Sequence, residues 1–311
     1  MRRLIAALVA VSAVMLLLTP ATAQTTERRY VSLLFGRTQW AQAENCVRIA
    51  NTVDLGTVSQ ALQARSLPAT GNIVLNQVPA SGFWCEGGFS LHPGWDRVMQ
   101  LRQQGWNFVS AGRSYIDMST ATFQQAYNNS CGSLPLFAQR GIDASGLYAY
   151  PNDKYTTEIQ TNPVSTCFKW GRTYGTGVTT RFQTAAPWFQ STHTTQGARC
   201  NMPNAGCPYA SQAKWAYTLP SSIIATIRGL QPGQWYSVQF YRFVTGANLD
   251  TLDRFRWDCR ATDPRLHWAT RPETYCWNDF VSVMDALAAE RSAGRVVVTD
   301  PRSVAAAWGR P

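Results

Sequence analysis

Histidine is scarce in this chain: there are three, His92, His193 and His267, and they stand far apart. No Cys-x-x-Cys pair accompanies them, so the ligand spacing of a zinc site is missing. There is no Gly-x-Ser-x-Gly elbow, which removes the usual frame for a serine nucleophile. A phosphate-cradling glycine loop and a dinucleotide fingerprint are absent too, and Gly171, Gly175 and Gly177 read as turn glycines. Lysine and arginine form no run, so nucleic acid is not the expected partner. After residue 18 no apolar run is long enough for a membrane span.

What is present begins at the N-terminus. Met1-Arg-Arg3, the apolar run Leu4 to Leu18 and Ala21-Thr-Ala23 have the order of a secretory signal peptide. Residues 1–23 are therefore expected to be removed, leaving a secreted chain, 24–311, of a single domain with no membrane span. Eight cysteines (Cys46, Cys85, Cys131, Cys167, Cys200, Cys207, Cys259, Cys276) suit that compartment and read as disulfides. Cys200–Cys207 and Cys259–Cys276 are the expected local pairs, with Cys46–Cys85 and Cys131–Cys167 closing longer loops. The formal charge is +10, falling to +8 without Arg2 and Arg3. A basic exported protein is drawn to anionic polymers of the cell exterior, although the charge is equally compatible with a role in solubility alone.

Between about residues 30 and 160 short apolar runs alternate with helical patterns. Tyr30–Phe35, Asn72–Val78, Trp106–Ala111 and Gly146–Tyr150 read as strands. Helices are expected over Leu55–Arg65, where Leu67-Pro68 ends the pattern, and over Pro93–Gln104, with Gly105 as the stop. Thr120–Arg140 reads as helix broken at Gly132 and Pro135. The alternation implies an α/β fold with its chemistry at the C-terminal ends of parallel strands. Residues 165–234 are rich in Thr, Gly, Pro and aromatics, and read as an irregular insertion. Regular structure is expected again at Trp235–Val244, Trp277–Arg291 and Arg295–Thr299, followed by a last helix capped by Asp300.

Two of these segments carry a resemblance. Val31-Ser-Leu-Leu-Phe-Gly-Arg37 and Gly105-Trp-Asn-Phe-Val-Ser-Ala-Gly-Arg-Ser-Tyr115 resemble the first and third strands of the polysaccharide deacetylase family, the NodB-homology or carbohydrate esterase 4 group. Leu67-Pro-Ala-Thr70, Tyr148-Ala-Tyr-Pro151 and Trp235-Tyr-Ser-Val-Gln-Phe-Tyr-Arg242 fit further motifs of that family. The resemblance implies a distorted (β/α) barrel of about seven strands. It also implies that two aspartates should stand at Gly36 and Arg37, two histidines at Ala111 and Tyr115, and a catalytic histidine at Tyr241. None is there. Glycine, alanine, arginine and phenol offer no donor set for a divalent cation at neutral pH, so no metal and no other cofactor is expected.

The replacements suggest two uses. Arg37, Arg113 and Arg242, with Tyr115, Tyr150 and Tyr241, could line a pocket for an anionic polysaccharide of the cell wall or exterior, with Trp84 and Trp188 as sugar platforms. Alternatively the arginines pair with Asp117, Asp153 or Glu86 and close a vacated polar site. A metal-free hydrolase is the other class, with Asp117 and Asp153 as acid–base candidates and Glu44 and Glu86 nearby. His92, beside Pro93, reads as a surface or helix-start residue. Whether the chain is an enzyme therefore stays open; its ancestral class would be that of the polysaccharide deacetylases.

Overall fold

The computed structural model describes residues 27–309, except 89, 175–176, 182–188, 195, 201–213, 250–255, 265–266 and 270–273. The signal segment, Trp188 and the Cys200–Cys207 pair lie outside the described residues.

One nine-stranded sheet organises the chain. Its strands are β1 (Tyr30–Phe35), β2 (Ala69–Ile73), β3 (Trp106–Ser110), β4 (Tyr148–Ala149), β5 (Gly171–Tyr174), β6 (Val178–Thr180), β7 (Phe189–Thr194), β8 (Gln234–Phe240) and β9 (Val297–Val298). The order is β6-β8-β7-β5-β4-β3-β2-β1-β9, and every pairing is parallel except β6 with β8. In addition β1 pairs along its whole length with β8, from Tyr30 opposite Trp235 to Phe35 opposite Phe240. The ladder thus runs from β1 through β2, β3, β4, β5, β7 and β8 back to β1. The α/β class and the parallel sheet agree with the sequence reading.

The longer helices pack on the sheet, most on one face and the last on the other. They are α1 (Leu55–Gln63), α2 (Trp95–Gln103), α3 (Phe123–Asn129), α4 (Leu134–Ala138), α5 (Pro220–Gly229), α6 (Trp277–Ser292) and α7 (Pro301–Ala307). Alternation along β1 decides which way each side chain goes. Val31, Leu33 and Phe35 join the main core with Val58 and Leu62 of α1, Val98 and Leu101 of α2, and Phe280 and Val283 of α6. Tyr30 and Leu34 face the other way, toward Trp170, Trp235 and Trp308. Asp54 caps α1 by accepting from Thr57 N at 2.8 Å, and Asp300 caps α7 as expected.

Several expectations need correction. The second strand is Ala69–Ile73 rather than Asn72–Val78, because Leu75–Gln77 turns tightly and cannot extend the ladder. The stretch 165–234 is not simply irregular: it supplies β5, β6 and β7 to the sheet. Polar residues within those strands hide the apolar alternation that would have marked them. Trp235–Val244 is two strands, since the chain leaves the sheet at Tyr241 and Arg242–Val244 pairs with Thr274–Cys276. Three disulfides join the expected partners: Cys46–Cys85, Cys131–Cys167 and Cys259–Cys276, with Cα separations of 5.4, 5.7 and 5.8 Å.

Candidate functional site at the strand ends

β1 ends in a tight turn, Gly36–Thr38. Arg37 and Thr38 both take left-handed backbone angles, φ 53° and 46°, which cost a non-glycine residue strain. Asn72 at the end of β2 holds the turn. Its side-chain oxygen accepts from Arg37 N at 2.7 Å, and its carbonyl accepts from the Thr38 hydroxyl at 3.0 Å. The turn aims the Arg37 guanidinium sideways, where Nη2 donates to Gln77 at 2.9 Å and to Glu86. The Tyr115 ring lies under the guanidinium, 4.0 Å from its carbon, a cation–π contact. Arg37 therefore pairs with Glu86, one of the two uses the sequence left open.

His92 is a correction. It is not a surface residue; it sits on the strand Ser90–Pro93 and is 1% exposed. Its Nδ1 lies 3.2 Å from the Arg37 carbonyl and its Nε2 3.2 Å from Glu86. Alternation in Ser90-Leu-His-Pro93 gave no signal for it, since that pattern would put Leu91 inside, and Leu91 is only half-buried. Burial pushes the imidazole below its ordinary value. Against its own burial, Glu86 is held down at about 2 by hydrogen bonds from His92 and Arg37. The signs for stability follow. Folding holds His92 below its unfolded value of 6.5, so stability falls as pH drops below that value. Glu86 adds a loss between 4.5 and about 2. We expect His92→Gln to flatten the first of these limbs in melting curves recorded from pH 7 to 5. An unchanged slope would remove His92 from the account.

The places where the resemblance puts metal ligands are filled by packing. A β-carbon at Gly36 would stand 2.0 Å from Cε1 of Tyr241, so that ring occupies the room any side chain at 36 would need. Ala111 is buried with Val74 and Ala149, and Tyr115 packs against them. The residues present thus do not fit a divalent cation: its donor positions hold a phenyl ring, a methyl group and a guanidinium. Glu86 and His92 are ligand-type side chains, but they bond each other and Arg37. A second cluster of ligand-type residues, His267, Cys276 and Asp279, does not serve either, because Cys276 is in a disulfide and His267 bonds Asp279 at 2.8 Å.

The other expected site residues separate into a rim and an interior. On the rim, the Tyr115 hydroxyl donates to Asn152 Oδ1 at 2.7 Å, and Lys154 Nζ donates to Asp117 at 2.7 Å. Two links therefore tie the loop after β3 to the loop after β4. Arg113 is exposed beside them, with no side-chain partner among the described residues. Trp84 is half-buried, with its ring 5.3 Å from that of His92. In the interior, Tyr150 is 1% exposed and its hydroxyl has no partner among the described residues. Arg242 is also buried and donates to the Ser90 hydroxyl at 3.2 Å, and Ser90 stands opposite Glu86 in its hairpin. Tyr241 is buried against Gly36. Of the two acid candidates, Asp117 sits at about 2, held there by Lys154 and Ser119, so it is no proton donor at neutral pH. Asp153 lies in the Pro151–Asp153 turn with φ 55°.

One buried arginine was missed. Arg172, on β5, is 3% exposed; it donates to Gln239 of β8 at 2.7 Å and to the Tyr150 carbonyl at 2.9 Å. Reading Gly171–Gly175 as a turn concealed it.

No protein-family model matches the chain, and no curated protein does. Among solved structures it is similar to a probable polysaccharide deacetylase from Pseudomonas aeruginosa, at 9% identity and TM-score 0.49, over 92% of each chain. It is also similar to a deacetylase from Streptococcus pyogenes, at 15% identity and TM-score 0.39, over 51% of this chain and 62% of that one. A carbohydrate esterase family 4 pseudoenzyme from Bacillus anthracis matches at 9% identity and TM-score 0.35, over 70% of this chain and 56% of that one. The chain thus spans less than two thirds of the latter two proteins. The family read from the sequence is the family of these neighbours, a pseudoenzyme among them; with TM-scores below 0.5, none of the likenesses assigns an activity to this chain.

Proposed function

We propose that this is an exported, polysaccharide deacetylase-like protein that binds extracellular or cell-wall polysaccharide and does not run the metal-dependent reaction. In this reading the circuit of strands is the family's distorted seven-stranded barrel, and its strand ends serve as a binding face. One observation carries the proposal: the Tyr241 ring fills the space that a side chain at position 36 would need. Deacetylation by a metal-bound water needs deprotonated ligands at that point, and none can enter without displacing the ring.

Binding would use what the rim leaves accessible. Arg113 offers a guanidinium to a carboxylate or phosphate on an anionic saccharide, and Trp84 offers an aromatic face. Arg37 contributes indirectly, by holding Tyr115 and Glu86 in place. The two links between the rim loops present these groups on a pre-organised frame, which lowers the ordering cost of binding. Hydrolysis by a carboxylate pair needs a proton-donating acid; of the four acids named from the sequence, Glu86 and Asp117, both held at about 2, do not supply one.

Metal analysis of the purified protein, with deacetylase assays and titration against anionic and neutral wall glycans, tests the reading. We expect no stoichiometric metal and no chelator-sensitive deacetylation. Anionic glycan should bind, with Arg113→Ala weakening it about tenfold through loss of one charge-assisted pair. Zinc bound at the strand ends, or the absence of affinity for any glycan, would overturn it.

A further inference from the structure

The opposite end of β1 holds a second concentration of charge. Glu27, Arg28 and Arg29 lead into β1, Arg291 lies in the last turn of α6, and Arg295 leads toward β9. With Pro232 and the backbone of Val296–Val298 they enclose a cleft of about 820 Å³. Four arginines against one glutamate give its lining side chains a net charge of +3. A smaller cleft of about 180 Å³ shares Glu27 and Arg28 and adds Arg181.

Internal pairing accounts for part of this charge. Arg181 takes Glu27 at 3.0 Å, while Arg295 and Arg228 share Glu290. Arg28, Arg29 and Arg291 have no side-chain partner among the described residues. Arg291 also suits the C-terminal end of the α6 dipole, a role that one cation fills. Arg28 and Arg29 have no such local reason. Their backbones are fixed nevertheless: Gly233 N donates to the Arg28 carbonyl at 3.1 Å, and Val297 N to that of Arg29 at 2.8 Å. Gly294 N likewise donates to the Arg291 carbonyl at 2.9 Å. Mutually repelling charges on a rigid frame around one cleft are what an anion site presents.

We propose that this basal cleft binds a polymer that carries anionic phosphoryl groups. Phosphate is favoured over carboxylate by the number of donors. One guanidinium fork satisfies a planar carboxylate, whereas a tetrahedral phosphoryl group accepts from several sides, and here Arg28 and Arg29 before β1 and Arg291 at the end of α6 line one cleft from two chain segments. The cleft lies at the other end of β1 from the Arg37 turn, so it does not depend on how the strand ends are read.

Equilibrium titration of the whole protein with long-chain inorganic polyphosphate, polygalacturonate and neutral dextran tests the assignment. Polyphosphate should bind, weakening as salt rises because the contacts release counterions. The Arg28→Gln/Arg291→Gln variant should lose about tenfold or more of that affinity, through two lost charge-assisted contacts. Both side chains are exposed, and an unchanged melting temperature would show the fold intact. Arg97→Gln on α2, exposed and outside both faces, should leave polyphosphate binding as it was. An equal loss in that control, an equal loss of polygalacturonate affinity in the Arg28→Gln/Arg291→Gln variant, or no polyphosphate binding would each overturn the proposal.

Discussion

Gly36→Ala is expected to destabilise the protein by about 3 kcal/mol, the upper range for overpacking a filled interior. The reason is a direct overlap rather than backbone strain. The added methyl would lie 2.0, 2.2 and 2.6 Å from three carbons of the Tyr241 ring, and Tyr241 is only 8% exposed. The ring cannot simply swing outward, because the chain leaves the sheet at this residue and Arg242–Val244 is pinned between Thr274–Cys276 and Thr52–Val53. A double-mutant cycle separates this from a general cost at position 36. Tyr241→Ala alone opens a cavity, and Gly36→Ala added to it should be nearly neutral, giving a coupling of about 2–3 kcal/mol. Denaturant titration of the four proteins measures it. Additive costs would show that the ring does not fill the place described.

Arg37→Ala should cost about 2–3 kcal/mol, because it leaves Glu86 facing a neutral histidine without its cation. Removing one partner of a fully buried pair costs more, but the Glu86 side chain retains 27% exposure, which moderates the effect. The Gln77 hydrogen bond and the Tyr115 contact are lost with it. Glu86 would move up from about 2 toward its ordinary 4.5. Its contribution, complete above 4.5 in the wild type and lost as pH falls through about 2, would then fade at higher pH. Adding Glu86→Gln should recover much of the stability at neutral pH, since no carboxylate is left unpaired. Unfolding curves at pH 7 and pH 4 decide it; a variant as stable as the wild type at both would show the ion pair to be ornamental.

The parts of the fold that were legible are those where pattern and chemistry agree. β1, α1, α2 and α6 announce themselves by apolar spacing and by their stops and caps, and three cysteine pairings matched as well. At the strand ends, the residue types Gly36, Arg37, Ala111 and Tyr115 could be read directly, but not what surrounds them. What could not be read was direction. Arg242 and Arg37 look alike in sequence, yet one follows a strand that changes sheets and the other a turn locked by Asn72. Tyr150 and Tyr115 are both aromatic residues near strand ends, but the first packs inward and the second bonds across the rim. Arg172 and His92 escaped because a buried polar residue interrupts the apolar rhythm that marks a strand. Only the tertiary partners, Gln239 for one and Glu86 for the other, explain why each is tolerated inside.

The interlocked glycine and tyrosine also bear on how this protein could change with time. A single codon change that placed an acidic group at position 36 would meet the aromatic ring, and one that removed the ring first would leave a void. Either first step costs stability before the second can help, so a carboxylate at this strand end is reached only through a less stable intermediate.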